Sequence, residues 1–324
     1  MLIPLVSLIG GLVVLVLAAD KLVDGAVGIS RRLGISTLVV GLTVVAYGTS
    51  LPEFIVSILA SFNGVADFAI GNIVGSNIAN IGLVLGSAAA IQAIMLTDKK
   101  VIWRDFPTVL LSAGTAVAFM ADGQVARWEG IVLALIAVVY TVLALKTSKG
   151  PAAEHIEEME AAGDPHEPPL MSWTGAIVRL LIGGAGLFGG AHFMVEGATE
   201  ISAMLGIPDR IVGLTVVAIG TSLPEMAASM AAALKKHPEL ALGNVIGSCI
   251  FNVSFVLGGM AIIRPVPVSF DAAVPDLMMM GGLTLAMVGL MWTKMKLSRL
   301  EGGLLVFSYL GYLTWLVLKT LGVA

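Results

Sequence analysis

Ten apolar stretches dominate the sequence, and each is long enough to cross the hydrocarbon core of a bilayer as a helix. They lie at residues 2–19, 36–61, 68–94, 105–121, 128–146, 173–198, 209–234, 240–262, 272–292 and 301–321. Charged residues make up 12% of the 324 residues, about half of their share in a soluble domain. The stretches are continuous and do not alternate with polar residues, which argues against a β-barrel. The sequence therefore predicts an all-α integral membrane protein with ten transmembrane helices.

The charge and cysteine content exclude several function classes. Eighteen basic residues against 22 acidic residues give a net charge of −4, and no basic run is long enough to bind a nucleic acid backbone. The single cysteine excludes an internal disulfide and a cysteine zinc cluster. The spans hold no HExxH, Ser–His or paired-aspartate pattern, so neither an enzyme nor a cofactor is predicted. The expected partners are small inorganic cations and the lipid bilayer, with no obligatory protein partner.

Lysine and arginine residues are unevenly divided between the two sides of the membrane. If the N-terminus is outside, fourteen fall inside, namely Lys21, Arg31, Arg32, Lys99, Lys100, Arg104, Lys146, Lys149, Arg179, Lys235, Lys236, Lys294, Lys296 and Arg299. Only Arg127, Arg210, Arg264 and Lys319 then fall outside. This asymmetry predicts a multi-pass protein of the cell (inner) membrane with both termini outside.

The chain contains an internal duplication. Residues 41–53 read GLTVVAYGTSLPE and residues 213–225 read GLTVVAIGTSLPE, identical at 12 of 13 positions with an offset of 172. The same offset aligns GNIVGSNIAN at 71–80 with GNVIGSCIFN at 243–252, identical at 6 of 10 positions. The chain thus divides into a first half at 1–150, an acidic cytoplasmic linker at 151–172 and a second half at 173–324. Each half has five spans, so the second half enters the membrane with opposite polarity, as in many secondary transporters.

The repeated GTSLPE motif predicts broken helices in spans two and seven. Pro52 and Pro224 lack the N–H groups that would bond to the carbonyls of Gly48 and Gly220. The turns at 46–49 and 218–221 are therefore expected to open and to present carbonyl oxygens inward, which is tolerated in a membrane where the backbone is buried or lines a wet cavity. Spans three and eight, which carry the second repeated motif, are predicted to be broken as well.

Helical spacing places the repeated polar residues on shared faces. The first set is Ala46, Thr49, Ser50 and Glu53, repeated as Ala218, Thr221, Ser222 and Glu225, and the second is Asn72, Ser76 and Asn80, repeated as Asn244, Ser248 and Asn252. An all-oxygen set suits Ca²⁺ or another hard cation, and two carboxylates balance one divalent charge. Glutamates inside a membrane span indicate a functional site. The hydroxyls could instead cap the broken helices, and Asn72 and Asn244 could equally cap helix starts or lock helix pairs.

The two pairs of motifs, in halves of five helices each, resemble those of the Ca²⁺:cation antiporter superfamily, and within it the prokaryotic Na⁺/Ca²⁺ exchangers. The resemblance implies that Glu53 and Glu225 together hold Ca²⁺, helped by backbone oxygens at Thr49 and Thr221. It also implies two Na⁺ sites that share these glutamates. One would use the Ala46 carbonyl, Ser50 and Ser248, and the other the Ala218 carbonyl, Ser222 and Ser76, with Asn80 and Asn252 completing the centre.

The resemblance implies that Ca²⁺ leaves the cytoplasm in exchange for Na⁺, as the first and sixth helices slide against the other eight. Some members, including the K⁺-dependent type, carry an acid at one of the central amide positions. Here both Asn80 and Asn252 are amides, which argues against K⁺ co-transport. Exchange of H⁺ for Ca²⁺ or another divalent cation is the alternative within transporters, and a cation channel is the more remote one.

Overall fold

Helices make up most of the protein in the computed structural model, which describes residues 2–64, 66–148, 171–205 and 218–321. In the first half they are α1 (Leu2–Leu33), α2 (Thr37–Val40), α3 (Ala46–Thr49), α4 (Leu51–Phe62), α5 (Ala66–Ala79), α6 (Gly86–Ile91), α7 (Phe106–Met120) and α8 (Arg127–Lys146). In the second half they are α9 (Trp173–Met204), α10 (Ala218–Thr221), α11 (Leu223–Leu234), α12 (Pro238–Ile250), α13 (Leu257–Ile263), α14 (Phe270–Lys294) and α15 (Arg299–Thr320). Turns of π-helix at Gly41–Val45, Asn80–Leu85, Val101–Asp105 and Phe251–Val256 connect or precede several of them.

Seven helices of the described chain are long and apolar enough to cross a membrane. They are Leu2–Leu33, Ala66–Ile91, Arg127–Lys146, Trp173–Met204, Pro238–Ile263, Phe270–Lys294 and Arg299–Lys319. An eighth span is the pair Thr37–Thr49 and Leu51–Phe62, bent by 42°. Helix α7 occupies the fourth predicted stretch, and α10 and α11 occupy the described part of the seventh, of which 209–217 lie outside the described residues. The protein is therefore an all-helical membrane protein; most of the linker, 151–170, also lies outside the described residues.

The third and eighth spans form the centre of the molecule. In their most apolar windows, 72% of Ala66–Ile91 and 78% of Pro238–Ile263 is buried, against 22% for α9 and for α15. The outer helices present apolar side chains to the surroundings, as a surface in contact with lipid requires. The two spans that carry the repeated asparagines and serines are thus mostly buried among the other helices.

Helices α1 and α9 are longer than predicted. Both contain 32 residues, whereas the apolar stretches ended at residues 19 and 198. The first stretch ended before Asp20 and the sixth ended two residues before Glu200, but a charge does not end a helix when good helix formers continue on both sides of it. Helix α1 ends only before Gly34, whose positive φ of 61° suits a glycine that terminates a helix.

Helices α1 and α9 pack against each other in opposite directions. A Cβ atom on Gly11 would lie 2.6 Å from the backbone nitrogen of Met194, and one on Gly25 would lie 2.6 Å from that of Leu180. Glycine at these positions lets the two backbones come into direct contact, as small residues do at helix interfaces in membranes. The two longest helices of the described chain therefore form a close antiparallel pair.

Four short strands tie the two halves together crosswise. β1 (Ile94–Met95) pairs with β4 (Lys296–Leu297), and β2 (Gln124–Val125) pairs with β3 (Val266–Pro267), both antiparallel. The sequence offset of 172 relates β1 to β3 and β2 to β4. The first strand of each half thus pairs with the second strand of the other half, so the duplication is visible in the pairing pattern.

The prediction that spans three and eight are broken is wrong. Both run on as continuous helices, Ala66–Ile91 and Pro238–Ile263, each with one π-helical turn at Asn80–Leu85 or Phe251–Val256. Neither span has a proline inside it, so no backbone N–H is removed and glycine alone does not interrupt the hydrogen-bond ladder. A π turn accommodates one additional residue without ending the helix, and such turns are frequent at functional sites.

The position predicted for the opening in span two is also wrong. Residues 46–49 are helical, and the break falls at Ser50, where φ is −88° and ψ is 6°. The Ser50 backbone N–H donates to the Ala46 carbonyl at 3.0 Å, so that turn is closed. In span seven, 218–221 is helical too and the break falls at Ser222, with φ of −90° and ψ of 4°. Each break comes two residues before the proline, where the next helix starts with proline in its first turn.

Candidate cation-binding site

The two breaks place one glutamate each in the first turn of a helix. Glu53 is the third residue of α4 and directly follows Pro52, and Glu225 is the third residue of α11 and directly follows Pro224. Both glutamate side chains are fully buried. The start of a helix favours negative charge because its backbone N–H groups are not used within the helix. The repeated motif therefore builds the same carboxylate position twice.

The structure brings these two positions into one place. The Ser50 hydroxyl, at the break in the first half, donates to Oε1 of Glu225 in the second half at 2.9 Å. Glu225 is also an electrostatic neighbour of Glu53. Residues separated by about half of the chain thus form a single buried polar centre.

The eighth span contributes to the same centre from the side of the second span. The Ser248 hydroxyl donates to the Ala46 carbonyl over a long 3.5 Å. The Thr49 hydroxyl donates to Oδ1 of Asn244 at 3.2 Å and lies 3.4 Å from the Ala46 carbonyl. The Ala46 carbonyl is thus surrounded by hydroxyl groups from two spans.

The repeated asparagines hold the helices that carry the glutamates. The Asn72 amide donates to the Ser57 hydroxyl at 2.9 Å and to the Glu53 carbonyl at 3.4 Å. Asn244 donates to Ser229 at 2.9 Å and to the Glu225 carbonyl at 3.4 Å. The two sets are equal in distance. The amide groups therefore hold the backbone of each glutamate and donate to groups of the protein.

Ser57 and Ser229 were missed by sequence reasoning. Both are fully buried, and each lies four residues after its glutamate, on the same face of the helix. The offset of 172 relates them to each other. A search for every polar residue retained by the duplication, beyond the two motifs, would have found them.

Several buried polar atoms of the site have no hydrogen-bond partner among the described residues. They are both carboxylate oxygens of Glu53, Oε2 of Glu225, the hydroxyls of Ser76 and Ser222, and both polar side-chain atoms of Asn80 and Asn252, together with Oδ1 of Asn77 and the hydroxyl of Ser254, which the sequence did not indicate as ligands. Buried polar groups are normally paired, because an unpaired one costs about 1–3 kcal/mol. A concentration of unpaired oxygens around two carboxylates is what a site for a hard cation requires.

The two half-sites differ in their hydrogen bonds. Ser50 donates to the opposite glutamate, whereas the Ser222 hydroxyl has no partner in the described chain. The Ser222 backbone N–H donates to the Ile219 carbonyl at 3.1 Å, which is a tighter turn than the one that Ser50 closes. Thr221 ends α10 and Ala218 begins it, directly after residues that lie outside the described chain.

The comparisons with known proteins agree with this geometry. The sequence model of the family described as sodium/calcium exchanger protein matches residues 3–146 and again residues 175–318. The chain belongs to the sodium/calcium exchanger family. The two matched ranges start 172 residues apart, the spacing of the repeated motifs.

Relatives of this exchanger-family chain are similar over nearly their whole length. CaxA of Alkalimonas amylolytica is 40% identical over 316 residues, which cover 96% of this chain and 98% of CaxA. The sodium/calcium exchanger MaX1 of Methanosarcina acetivorans is 32% identical over 334 aligned residues, covering 94% of this chain and 95% of MaX1. A solved structure of the sodium-calcium exchanger NCX_Mj matches with a TM-score of 0.81 at 32% identity, covering 95% of this chain and 96% of that one. The protein is thus a cation/Ca²⁺ antiporter of the membrane, similar to exchangers and not to enzymes.

Proposed function

We propose that this exchanger moves Ca²⁺ out of the cytoplasm in exchange for Na⁺. The observation that carries the proposal is the buried set of unpaired oxygens around Glu53 and Glu225. Two carboxylates match the charge of one Ca²⁺, whereas a single Na⁺ would leave one carboxylate unbalanced. Na⁺ therefore has to bind in multiples, and neither repeated motif contains a lysine or arginine that could bind an anion.

In this proposal Glu53 and Glu225 hold Ca²⁺ between the two breaks, with backbone oxygens of Thr49 and Thr221. One Na⁺ site uses the Ala46 carbonyl with Ser50 and Ser248, and the other uses the Ala218 carbonyl with Ser222 and Ser76, both sharing the two glutamates. Asn80 and Asn252 line the centre from opposite spans. Support comes from the contact of 3.5 Å between the Ser248 hydroxyl and the Ala46 carbonyl, which brings two of the proposed ligands of one Na⁺ site together.

We further propose that the chain forms two inverted halves of five helices each, at 1–150 and 173–324, with the linker 151–172 in the cytoplasm and both termini outside. The crosswise strand pairs support this arrangement. The pair β1–β4 lies next to Lys99 and Lys294, on the side predicted to be inside, and the pair β2–β3 lies next to Arg127 and Arg264, on the opposite side. Symmetry-related pairs on opposite faces are expected of inverted repeats.

Alternating access then requires one part of the molecule to move against another. The close antiparallel pair α1 and α9 is the natural moving part, because glycine contacts join these two helices along their length. The motion would expose the glutamates to one side of the membrane at a time. Ca²⁺ and Na⁺ would compete for the same carboxylates, which couples the two fluxes.

Radioactive Ca²⁺ uptake into proteoliposomes tests the proposal. Vesicles loaded with Na⁺ and diluted into Na⁺-free buffer should accumulate Ca²⁺, and a Na⁺ ionophore should abolish the uptake. A matched set driven by a pH gradient without Na⁺ separates this outcome from H⁺/Ca²⁺ exchange. Uptake that responds only to the pH gradient, or that needs no counter-ion, would contradict Na⁺ coupling.

A further inference from the structure

Four aromatic side chains form a continuous column beside the cation site. Tyr47 and Phe54 lie in the second span, one on each side of the break at Ser50, while Phe251 and Phe255 lie in the π turn of the eighth span. The ring centroids of Tyr47 and Phe251 are 4.6 Å apart, and those of Phe251 and Phe255 are 4.8 Å apart in a stacked geometry. Phe255 reaches Phe54 at 5.5 Å. This aromatic column therefore bridges the break with rings from the neighbouring span.

The column is built from residues directly beside predicted cation ligands. The adjacent pairs are Ala46 with Tyr47, Glu53 with Phe54, and Phe251 with Asn252. The hydroxyl of Tyr47 also contacts Thr141 of α8, which anchors the end of the column to a third element. A displacement of these rings would therefore move the predicted ligands, because each of these ligands is adjacent in the chain to a residue that carries a ring.

The duplication does not repeat the aromatic residues of the column. The offset of 172 places Ile219, Met226, Ala79 and Leu83 at the positions that correspond to Tyr47, Phe54, Phe251 and Phe255. The break at Ser222 nevertheless has nearly the same backbone angles as the break at Ser50. The rings are thus not needed to form a break. They add ring contacts beside the break at Ser50 that the break at Ser222 does not have at the corresponding positions.

We propose that the aromatic column is a positioning unit for the cation site. It holds the two parts of the second span at a fixed angle against the eighth span, so that Glu53 keeps its place relative to Ser248 and the Ala46 carbonyl. Aromatic pairs suit this role because their preferred geometries are directional and give stabilisation beyond buried area. The proposal rests on the proposed cation site.

Phe255→Leu tests the proposal, since it introduces the residue found at the corresponding position 83 and removes two ring contacts. We expect the Kd for Ca²⁺, measured by titration calorimetry of the purified protein in Na⁺-free buffer, to rise about tenfold, with the apparent KM for Ca²⁺ in proteoliposomes rising in parallel. The maximal transport rate should stay near that of the wild type, and the melting temperature should fall no further than in a variant that loses a ring contact elsewhere. Phe255→Tyr keeps the ring and should restore the affinity.

Phe119→Leu is the matched control, because it removes one ring contact, to Trp128 at 5.3 Å, that involves no neighbour of a predicted ligand. The positioning role is wrong if Phe255→Leu binds Ca²⁺ as tightly as this control does. It is also wrong if Phe255→Leu binds Ca²⁺ more weakly but melts well below the control, and Phe255→Tyr does not restore the binding. Should Phe255→Leu not fold, Phe54→Met makes the same test with one lost contact. A wild type that binds Ca²⁺ without exchanging it contradicts only the proposed function, whereas one that binds no Ca²⁺ overturns both.

Discussion

Replacing Gly247 by alanine tests how closely the second and eighth spans must approach. A Cβ atom on Gly247 would lie 2.4 Å from the Leu42 carbonyl oxygen and 2.7 Å from the Ala46 Cβ atom. Carbon atoms without a bond between them prefer about 3.5–4.0 Å. The obstacle on the Leu42 side is backbone, which has no rotamer to change, so the two spans would have to separate by about 1 Å.

Two opposing terms set the magnitude of the effect. Overpacking of this kind costs about 1–3 kcal/mol, while alanine in the middle of a helix is favoured over glycine by about 1 kcal/mol. The net expectation is a loss of up to about 2 kcal/mol, the difference between the upper cost and the propensity gain. The separation would also lengthen the contact between Ser248 and the Ala46 carbonyl, already 3.5 Å, and so weaken the proposed Na⁺ site.

The assay combines the apparent melting temperature in detergent with Na⁺-driven Ca²⁺ uptake in proteoliposomes. Gly247→Ala should melt several degrees lower and need more Na⁺ for half-maximal uptake. Gly282→Ala is the matched control, because a Cβ atom there meets no atom of the described residues within 4 Å. A Gly247→Ala protein that is as stable as the control and has wild-type Na⁺ dependence would refute the close-approach argument.

Three further predictions concern the site itself. Glu53→Gln and Glu225→Gln should each abolish Ca²⁺ uptake in a protein that still elutes as a folded peak, because an amide cannot balance the divalent charge; near-normal uptake in either would contradict the assignment. Ser229→Ala should weaken Ca²⁺ binding in equilibrium titrations by about tenfold, since it leaves a buried donor of Asn244 unpaired, whereas the exposed Ser308→Ala should not. Ca²⁺ at a hundred times its Kd should raise the melting temperature over ion-free buffer, by a stabilisation of about 2.7 kcal/mol, and no shift would exclude specific binding.

Much of the fold could be predicted because the bilayer restricts the choice. Apolar length predicted the seven described helices that are long enough to span a membrane and the bent pair, and the family match and the NCX_Mj likeness agree with a helical antiporter. The two glutamates were recognisable because an acid inside an apolar span is costly and is duplicated in an identical setting. Both inferences require only the local sequence and the fact that the surrounding medium is a lipid bilayer.

The wrong predictions came from applying a local rule, such as helix breaking by proline, to segments that lack its physical cause. Proline removes an N–H and breaks the second and seventh spans, but the third and eighth have glycines and no proline in their interior and stay continuous. The break itself lies at Ser50 and not at 46–49, because the Ser50 N–H can still close the preceding turn. Charged residues in α1 ended the apolar stretch without ending the helix.

The contacts between the halves could not have been predicted from spacing. Nothing in the sequence says that the Ser50 hydroxyl reaches Glu225, about half a chain away, or that Thr49 reaches Asn244. Such contacts depend on how two packed halves face each other, which the crosswise strand pairs and the glycine contacts determine.

Near-identical motifs nevertheless make unequal half-sites. The Ser50 hydroxyl donates to the opposite glutamate and has an aromatic column beside it, whereas the Ser222 hydroxyl has no partner among the described residues and no aromatic residue stands at the positions that correspond to the column. A site with two equal halves would offer its ions the same environment on both sides. The second span has these additional contacts and the described part of the seventh does not, which allows the two proposed Na⁺ sites to differ in affinity although their ligand types are the same. Any such difference has to come from the residues around the motifs, because the motifs themselves are nearly identical.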